Sequence, residues 1–358
     1  MRPRIGIIGA GFIGRHHARA IRDLIRARLV NADYVAVCDR VEERAQEFAR
    51  IAGLDTWTTD TDELIGSPGV NTVYICTPTD QHKELVLKAA AADKHVFCEK
   101  PVAHTAPDVE EMLAALRAAN VRHQVGLVLR HSPICTVLKD LMNDPGLGRL
   151  MTVFFRDDQF FPIDGHYGSA WRKDAAVSGG GTLIEHSIHD LDLMEWLGGE
   201  IESLRAETRN FAGHEGVEDL ASVTLRYRSG ATGQLASVWH NLRSRPSGRL
   251  LECFFENGYF AVDEIFFGSI RYHTYANEQP QTLALEEVRE RYLALAGVPA
   301  EVYDASLRIF TALESYQFLQ ALSNGSDPSP GFEVGVRAHQ IVDAVYRSAA
   351  DGGRDVSL

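Results

Sequence analysis

Three glycines, at positions 9, 11 and 14, directly follow the apolar run Ile5-Gly6-Ile7-Ile8 and constrain this chain more than any other stretch. Gly9-Ala10-Gly11-Phe12-Ile13-Gly14 fits the turn at which a strand hands over to a helix beginning near Phe12. At such a turn Gly9 permits the tight bend, Gly11 lets main chain approach a pyrophosphate, and Gly14 lets the helix pack closely on the strand. The phosphates would sit on the helix N-terminus, where unpaired N–H groups and the macrodipole favour an anion. A second β-rich run, Tyr34 to Cys38, ends in Asp39, where the hydroxyls of an adenosine ribose need a bidentate acceptor. Its distance from the glycines exceeds the usual ~20 residues because the first helix and the loop after it are long. Arg40 comes next, suited to stacking on adenine or meeting a 2′-phosphate. A carboxylate beside a 2′-phosphate is repulsive, so Asp39 favours NAD as cofactor and leaves NADP open.

With 358 residues the chain is long enough for two domains, each with its own core. A formal net charge of −13 argues against nucleic acid as a partner, because that binding needs clustered cations. Arg15, Arg19, Arg22, Arg26 and Arg28, along the first helix and beyond it, read as solvated or phosphate-proximal positions rather than as a groove-binding stripe. No apolar run approaches the ~20 residues that span a bilayer, so no membrane partner is expected. The five cysteines show no CxxC pairing, and Cys38, Cys76 and Cys98 sit in strand-like apolar runs. An odd number placed in this way points to a reducing compartment, the cytoplasm.

Strand and helix alternate through the first 125 residues. Strands are expected at Ile5–Ile8, Tyr34–Cys38, Val70–Cys76, His95–Cys98 and Gln124–Leu129, with helices between them and a short capped element at Thr58–Ile65. That rhythm implies right-handed crossovers and a doubly wound parallel sheet covered on both faces, a Rossmann domain over residues 1–125. Residues 126–358 read as a second, α+β domain with an open, mainly antiparallel sheet and helices on one face, its last helix free to pack back on the first domain. Its expected strands are Leu150–Arg156, Ile201–Asn210, Leu220–Tyr227, Ala231–Trp239, Leu250–Glu256, Gly258–Val262 and Gly268–Tyr272. Arg228-Ser229-Gly230 and Asn257-Gly258 are hairpin turns. Helices are expected at Pro133–Asn143, Thr182–Leu197, Thr311–Asn324 and Gly335–Ala349.

Two constellations carry chemistry. Cys98-Glu99-Lys100-Pro101 lies at the carboxyl end of the fourth strand, where open α/β sheets bind ligands. An ammonium delivered there would stabilise a developing alkoxide or exchange a proton with it. The second runs from Gly179-Gly180-Gly181-Thr182 through Glu185, His186, His189 and Asp190 to Asp192. If helical from Thr182, Glu185, His189 and Asp192 share one face, and an imidazole flanked by carboxylates suits a general base. The glycines would let this helix approach a cofactor or the other domain. A metal site from Glu185, His186, His189 and Asp190 is disfavoured, since Glu185 and Asp190 stand about 140° apart on the wheel and only part of the set can converge. No metal is therefore assigned.

The glycine turn, Cys76-Thr77-Pro78 with His82, Glu99-Lys100-Pro101, and the triple-glycine helix with its downstream histidine occur in one order. Together they resemble the glucose–fructose oxidoreductase / inositol dehydrogenase (Gfo/Idh/MocA) family over nearly the whole chain. The resemblance implies nicotinamide-dependent oxidation or reduction of a sugar, cyclitol or related polyol. It also implies an open sheet that builds a homodimer or homotetramer. Lys100 matches the lysine that contacts the reacting oxygen, and His189 the catalytic histidine. Glu185 stands where the family usually has an aspartate that binds substrate hydroxyls and supports the base, one methylene longer here.

The cofactor cleft so implied is lined by Gly9, Gly11, Phe12, Ile13 and Gly14, and by Asp39 and Arg40. Thr77, Pro78, His82, Glu99 and Lys100 complete it. Asp158, Tyr167, Trp171 and Arg172, in the loop before the glycine run, form a wall over a polar substrate together with Glu185 and His189. His166 and His240 fit structural places equally well. On these assignments His189 takes the hydroxyl proton, Lys100 polarises the oxygen and Glu185 positions neighbouring hydroxyls. Two rivals share the fold: a glycosidase that oxidises its sugar transiently with bound NAD, and a nucleotide-sensing regulator without catalysis.

Overall fold

The computed structural model describes residues 1–163, 167–277 and 279–358. The chain forms two compact units: Met1–Val128 with Val298–Val336, and Leu129–Gly297 with Arg337–Leu358. No helix among the described residues is long and apolar enough to cross a membrane.

The first unit is built on six parallel strands: β1 (Arg4–Ile8), β2 (Asp33–Cys38), β3 (Trp57–Thr58), β4 (Thr72–Ile75), β5 (His95–Cys98) and β6 (His123–Val125). Their order across the sheet is β3-β2-β1-β4-β5-β6, so the direction of winding reverses between β1 and β4. Strands β4 and β5 are buried at every residue, which is why they read as unbroken apolar runs. Helices Phe12–Arg26, Glu42–Ala52, His82–Ala91 and Ala106–Ala118 supply the crossovers. Asp60 caps the short helix Thr61–Gly66, and Thr105 caps Ala106–Ala118. The helix Ala312–Asn324 also belongs to this unit. Its Phe318 makes edge contacts with Tyr74 and Phe97, whose rings stack 4.7 Å apart. The sixth strand ends at Val125 rather than Leu129, because Leu127 N turns back to Val125 O at 2.8 Å and a 3₁₀ turn, Val128–His131, comes next.

The second unit holds a nine-stranded sheet of β7 (Leu150–Phe160), β8 (Ile201–Arg209), β9 (Leu220–Tyr227), β10 (Thr232–His240), β11 (Gly248–Phe255), β12 (Gly258–Val262), β13 (Ile270–Thr274), β14 (Gln281–Leu283) and β15 (Val356–Ser357). The order is β14-β13-β12-β11-β7-β10-β9-β8-β15. Both expected hairpins are present, β9–β10 and β11–β12. The centre departs from the antiparallel pattern: β7 and β10 pair in parallel, with Asp157 opposite Ser237. Strand β7 is longer than expected and carries Asp158 within it, so Asp158 is not a loop residue. Sequence reading passed over the helices Leu285–Ala296 and Ala300–Ser306. The first has alanine at its N-cap and so lacks the usual side-chain signal; Glu287 instead accepts from Ala284 N at 2.8 Å.

The triple-glycine run approaches the start of strand β9 in its own unit. Thr182 N donates to Glu218 O at 2.8 Å, and a Cβ on Gly181 would overlap Glu218 main chain. The Glu218 carboxylate accepts from Gly181 N at 2.8 Å and Leu183 N at 2.9 Å, so it caps the helix start. The chain then makes a π turn, Leu183–Ser187, and runs into the α-helix Ile188–Gly198. A continuous α wheel from Thr182 therefore does not hold across Glu185.

Gly181→Ala is expected to cost about 3 kcal/mol of stability, because main chain rather than a movable side chain blocks the added methyl. Gly66→Ala, whose Cβ meets nothing within 4 Å, serves as the control in the same denaturant melts. Equal midpoints for the two variants would refute the assignment.

Candidate functional site

In the first unit the glycine turn stands at the carboxyl ends of β1 and β4, where the sheet reverses its winding. Gly9 has φ +103°, and a Cβ on it would lie 2.5 Å from Cys76 O. A Cβ on Gly14 would overlap Gly9 O. Gly11 differs: a Cβ there meets nothing within 4 Å. Two glycines thus serve close backbone packing and the third faces open space. The helix Phe12–Arg26 begins at Gly11 with no side-chain cap and no acidic residue in its first turn. An end of this kind, with its dipole and no carboxylate of its own in the first turn, suits an external anion such as a pyrophosphate.

Asp39 closes β2 beside this turn. Its Oδ2 accepts from Ala10 N at 2.9 Å and its Oδ1 from Val41 N at 3.0 Å. Each oxygen keeps a lone pair beyond those bonds, which fits a ribose diol. Arg40 is exposed. Thr77 Oγ1 is buried with no hydrogen-bond partner, an orphaned polar atom at the end of β4 that a bound group would satisfy. His82 is a brace rather than an open lining. Its ring nitrogens lie 2.8 Å from Pro101 O and 2.9 Å from Thr77 O, tying together the loops after β4 and β5. Glu99 is buried as well; it accepts from Lys100 N at 3.1 Å and faces His17 Nε2 at 2.8 Å. Lys100 itself is half-buried.

In the second unit the helix after the glycine run carries four buried titratable side chains, Glu185, His189, Asp190 and Asp192. Glu185 accepts from Arg172 Nε at 2.9 Å. Arg172 lies in a 3₁₀ turn, Ala170–Lys173, its guanidinium 4.6 Å from the Trp171 ring and 5.9 Å from that of Tyr167. The structure thus brings Tyr167, Trp171, Arg172 and Glu185 together. Asp192 is gripped by Arg130 through two bonds of 2.8 Å, so this carboxylate faces an arginine that sequence reading did not single out. Asp158 is gripped by Arg245 at 2.6 and 2.9 Å, with Arg156 at 3.1 Å and His240 3.5 Å away. Arg245 first, and then Arg156, hold its carboxyl below the usual range. His166 lies outside the described residues.

A further cluster went unnoticed in the sequence. Asp157 on β7 sits 2.9 Å from His186 Nε2 and 2.8 Å from Arg249 Nε, and Arg249 reaches Asp190 at 3.4 Å. Asp157 comes after Val153 and Phe155 on the core face of the strand, and a carboxylate there was the available signal. Asp190 is fully buried, and neither of its oxygens has a hydrogen-bond partner. Burial, and then the neighbouring Asp157, push its pKa up to about 7, against the pull of Arg249 and His186.

Residues 3–127 match the model of an oxidoreductase family with an NAD-binding Rossmann fold, and residues 136–261 the GFO/IDH/MocA C-terminal domain. A levoglucosan dehydrogenase of Pseudarthrobacter phenanthrenivorans is 25% identical, over 97% of this chain and 96% of its own. A myo-inositol 2-dehydrogenase of Thermotoga maritima is 33% identical, over 64% of this chain and 66% of its own. The solved structure of a levoglucosan dehydrogenase in complex with NADH and levoglucosan superimposes with a TM-score of 0.87 at 23% identity, covering 100% of this chain and 99% of that one, a likeness of fold.

Asp190 generates a pH prediction. Its folded pKa is about 7 against 3.8 for an ordinary aspartate, so the folded protein holds a proton between those values that the unfolded chain has released. Stability drawn from this group therefore falls as pH rises through that window and is flat above it. Asp190→Asn keeps the neutral form at every pH. Its stability relative to wild type, from urea melts, is expected to rise between pH 4 and 7 and level off beyond; a difference independent of pH would contradict the assignment.

Proposed function

The chain belongs to the Gfo/Idh/MocA oxidoreductase family, and on that premise we propose that it moves a hydride between nicotinamide C4 and a CH–OH carbon of its substrate. It is an NAD-binding, nicotinamide-dependent oxidoreductase of the sugar and polyol class. One observation supports the cofactor reading above the others. Gly9 and Gly14 are consumed by backbone packing, while Gly11 has open space beside it at the start of a helix whose first turn carries no acidic residue, which suits a pyrophosphate. Asp39 would accept the adenosine ribose hydroxyls and repel a 2′-phosphate, hence NAD over NADP.

The bound nicotinamide supplies the hydride acceptor or donor; the chain supplies the rest. In this proposal the Lys100 ammonium stabilises charge on the carbinol oxygen, and His189 takes its proton in oxidation and returns it in reduction. Glu185, held by Arg172, presents a fixed polar edge to neighbouring hydroxyls, with Trp171 and Tyr167 as apolar surface for a sugar ring. All five cysteines are free and buried, which supports a place in the reducing cytoplasm. A homodimer or homotetramer is supported by the aromatic patch on the β7–β11–β12 surface. There Phe154 and Phe254 are 36% and 37% exposed, in edge contact at 6.0 Å, with Tyr259 4.7 Å beyond.

A panel of sugars and cyclitols with NAD and with NADP, read by absorbance of the reduced nicotinamide, is expected to find turnover with NAD. On the substrate so found, Lys100→Ala and His189→Ala should each lower kcat/KM about 100-fold or more. Values within about twofold of wild type would remove the assigned roles. Phe154→Lys with Phe254→Lys should reduce the mass measured by light scattering to that of a single chain. An unchanged assembly would place the interface elsewhere.

A further inference from the structure

Beneath the Lys100 loop lies a buried cluster that hydride transfer does not itself consume. His17 comes from the helix after the glycine turn, Glu99 from the end of β5 and Glu314 from the helix Ala312–Asn324. Their exposures are 0%, 7% and 1%. His17 Nε2 stands 2.8 Å from Glu99 Oε1 and 3.8 Å from Glu314 Oε1, and His17 Nδ1 faces Ser315 Oγ at 3.1 Å. The second oxygen of Glu99 accepts from Lys100 N at 3.1 Å. Glycine at position 126 makes room for that carboxylate, since a Cβ there would lie 2.9 Å from Glu99 Oε2. Neither oxygen of Glu314 has a hydrogen-bond partner.

Two ionised carboxyls this close in an apolar core would repel each other and lose their hydration. Glu99 has the donors that a charge needs, from Lys100 N and His17. Glu314 has none, and burial together with the charge of Glu99 raises its pKa well above the usual carboxyl range. The other titratable groups around the pair stay neutral: Tyr74 on β4, Cys76 just after it and Cys98 on β5 are all pushed up by burial. Among the described residues, His17 and Glu99 remain as the neighbours that can carry charge against it.

We propose that His17, Glu99 and Glu314 form a buried positioning triad for Lys100. The Glu99 side chain holds the Lys100 main-chain N–H on one oxygen and His17 on the other. Glu314, kept as the acid, prevents a second charge from displacing that carboxylate. The triad sets the direction in which the Lys100 side chain leaves the main chain, and it rests on the reading of Lys100 as the group that meets the reacting oxygen.

The test uses the full chain. Infrared spectra are expected to show a protonated carboxyl persisting at pH 8 that disappears in Glu314→Gln. Glu99→Gln should accelerate hydrogen exchange at the Lys100 amide about tenfold, with melting temperature nearly unchanged, whereas the isosteric Glu314→Gln keeps that amide protected. On a turned-over substrate, Glu99→Gln should lower kcat about tenfold and leave KM within about threefold. Exchange unchanged in Glu99→Gln would overturn the proposal, as would loss of kcat only in step with melting temperature. The three ligand atoms lie within 4.8 Å of one another, so zinc is titrated too. Loss of the carboxyl band with a raised melting temperature would make the cluster a metal site instead. Infrared and exchange readings need no substrate, so failure of the dehydrogenase reading is separable from failure of the triad.

Discussion

Main chain laid directly against main chain, possible only where side chains are missing, is the constraint on which both halves of this protein depend. Gly9 and Gly14 bring the first helix onto the end of β4, and Gly181 brings a second helix onto the start of β9. At each place a carboxylate clamps the turn through two backbone donors: Asp39 takes Ala10 N and Val41 N, and Glu218 takes Gly181 N and Leu183 N. The outcome differs with where the donors lie. Asp39 binds beside the helix start, on Ala10 and Val41, and the first turn of Phe12–Arg26 carries no acidic residue. Glu218 uses up donors at the very start of its helix, so that glycine run cannot serve an anion. Two glycine-rich turns that look alike in sequence thus have opposite capacities.

Burial of charge is the second organising feature. Around His189 the helix carboxylates face arginines: Glu185 meets Arg172 and Asp192 meets Arg130, while Arg249, bonded to Asp157, comes within 3.4 Å of Asp190. Such pairs add little net stability, because desolvation consumes most of the Coulombic gain. Removing one partner is costly, however, since the other is left buried and unpaired. The consequence is geometric. The helix face bearing His189 is held in one register by arginines from three different elements, which suits a site whose reacting groups must be placed to a fraction of an ångström.

Much of this was legible in the sequence, for identifiable reasons. The strands of the first unit are buried on both faces and alternate with helices, so runs such as Val73–Ile75 and Val96–Cys98 announce themselves. The position of Lys100 just past the end of β5 and that of the glycine turn at the end of β1 could be located because both depend on local spacing. Failures came where the determinant is distant. Arg130 bonds Asp192 across 62 positions and Arg249 bonds Asp157 across 92, and no local pattern reports either. His17 and Ser315 are 298 positions apart. The two-residue strands β3 and β15 are too short for alternation to show, and they form because a neighbouring strand offers a free edge.

The π turn over Leu183–Ser187 belongs with these distant effects. A turn with one extra residue is less favourable than α-helix and persists only where surroundings fix both its ends. Here they do. Glu218 fixes the first end through Gly181 N and Leu183 N, and Ser237 on β10 takes Thr182 Oγ1 at 2.7 Å before the turn and Ser187 Oγ at 2.6 Å at its close. A regular α-helix through the same residues would rotate Ser187, and everything after it, away from these partners. Thr182, Ser187 and Ser237 are all completely buried, so a lost bond there could not be replaced by water. The irregular turn is therefore the conformation in which this segment satisfies its buried hydroxyls, and it sets the rotation at which His189, two residues later, leaves the helix.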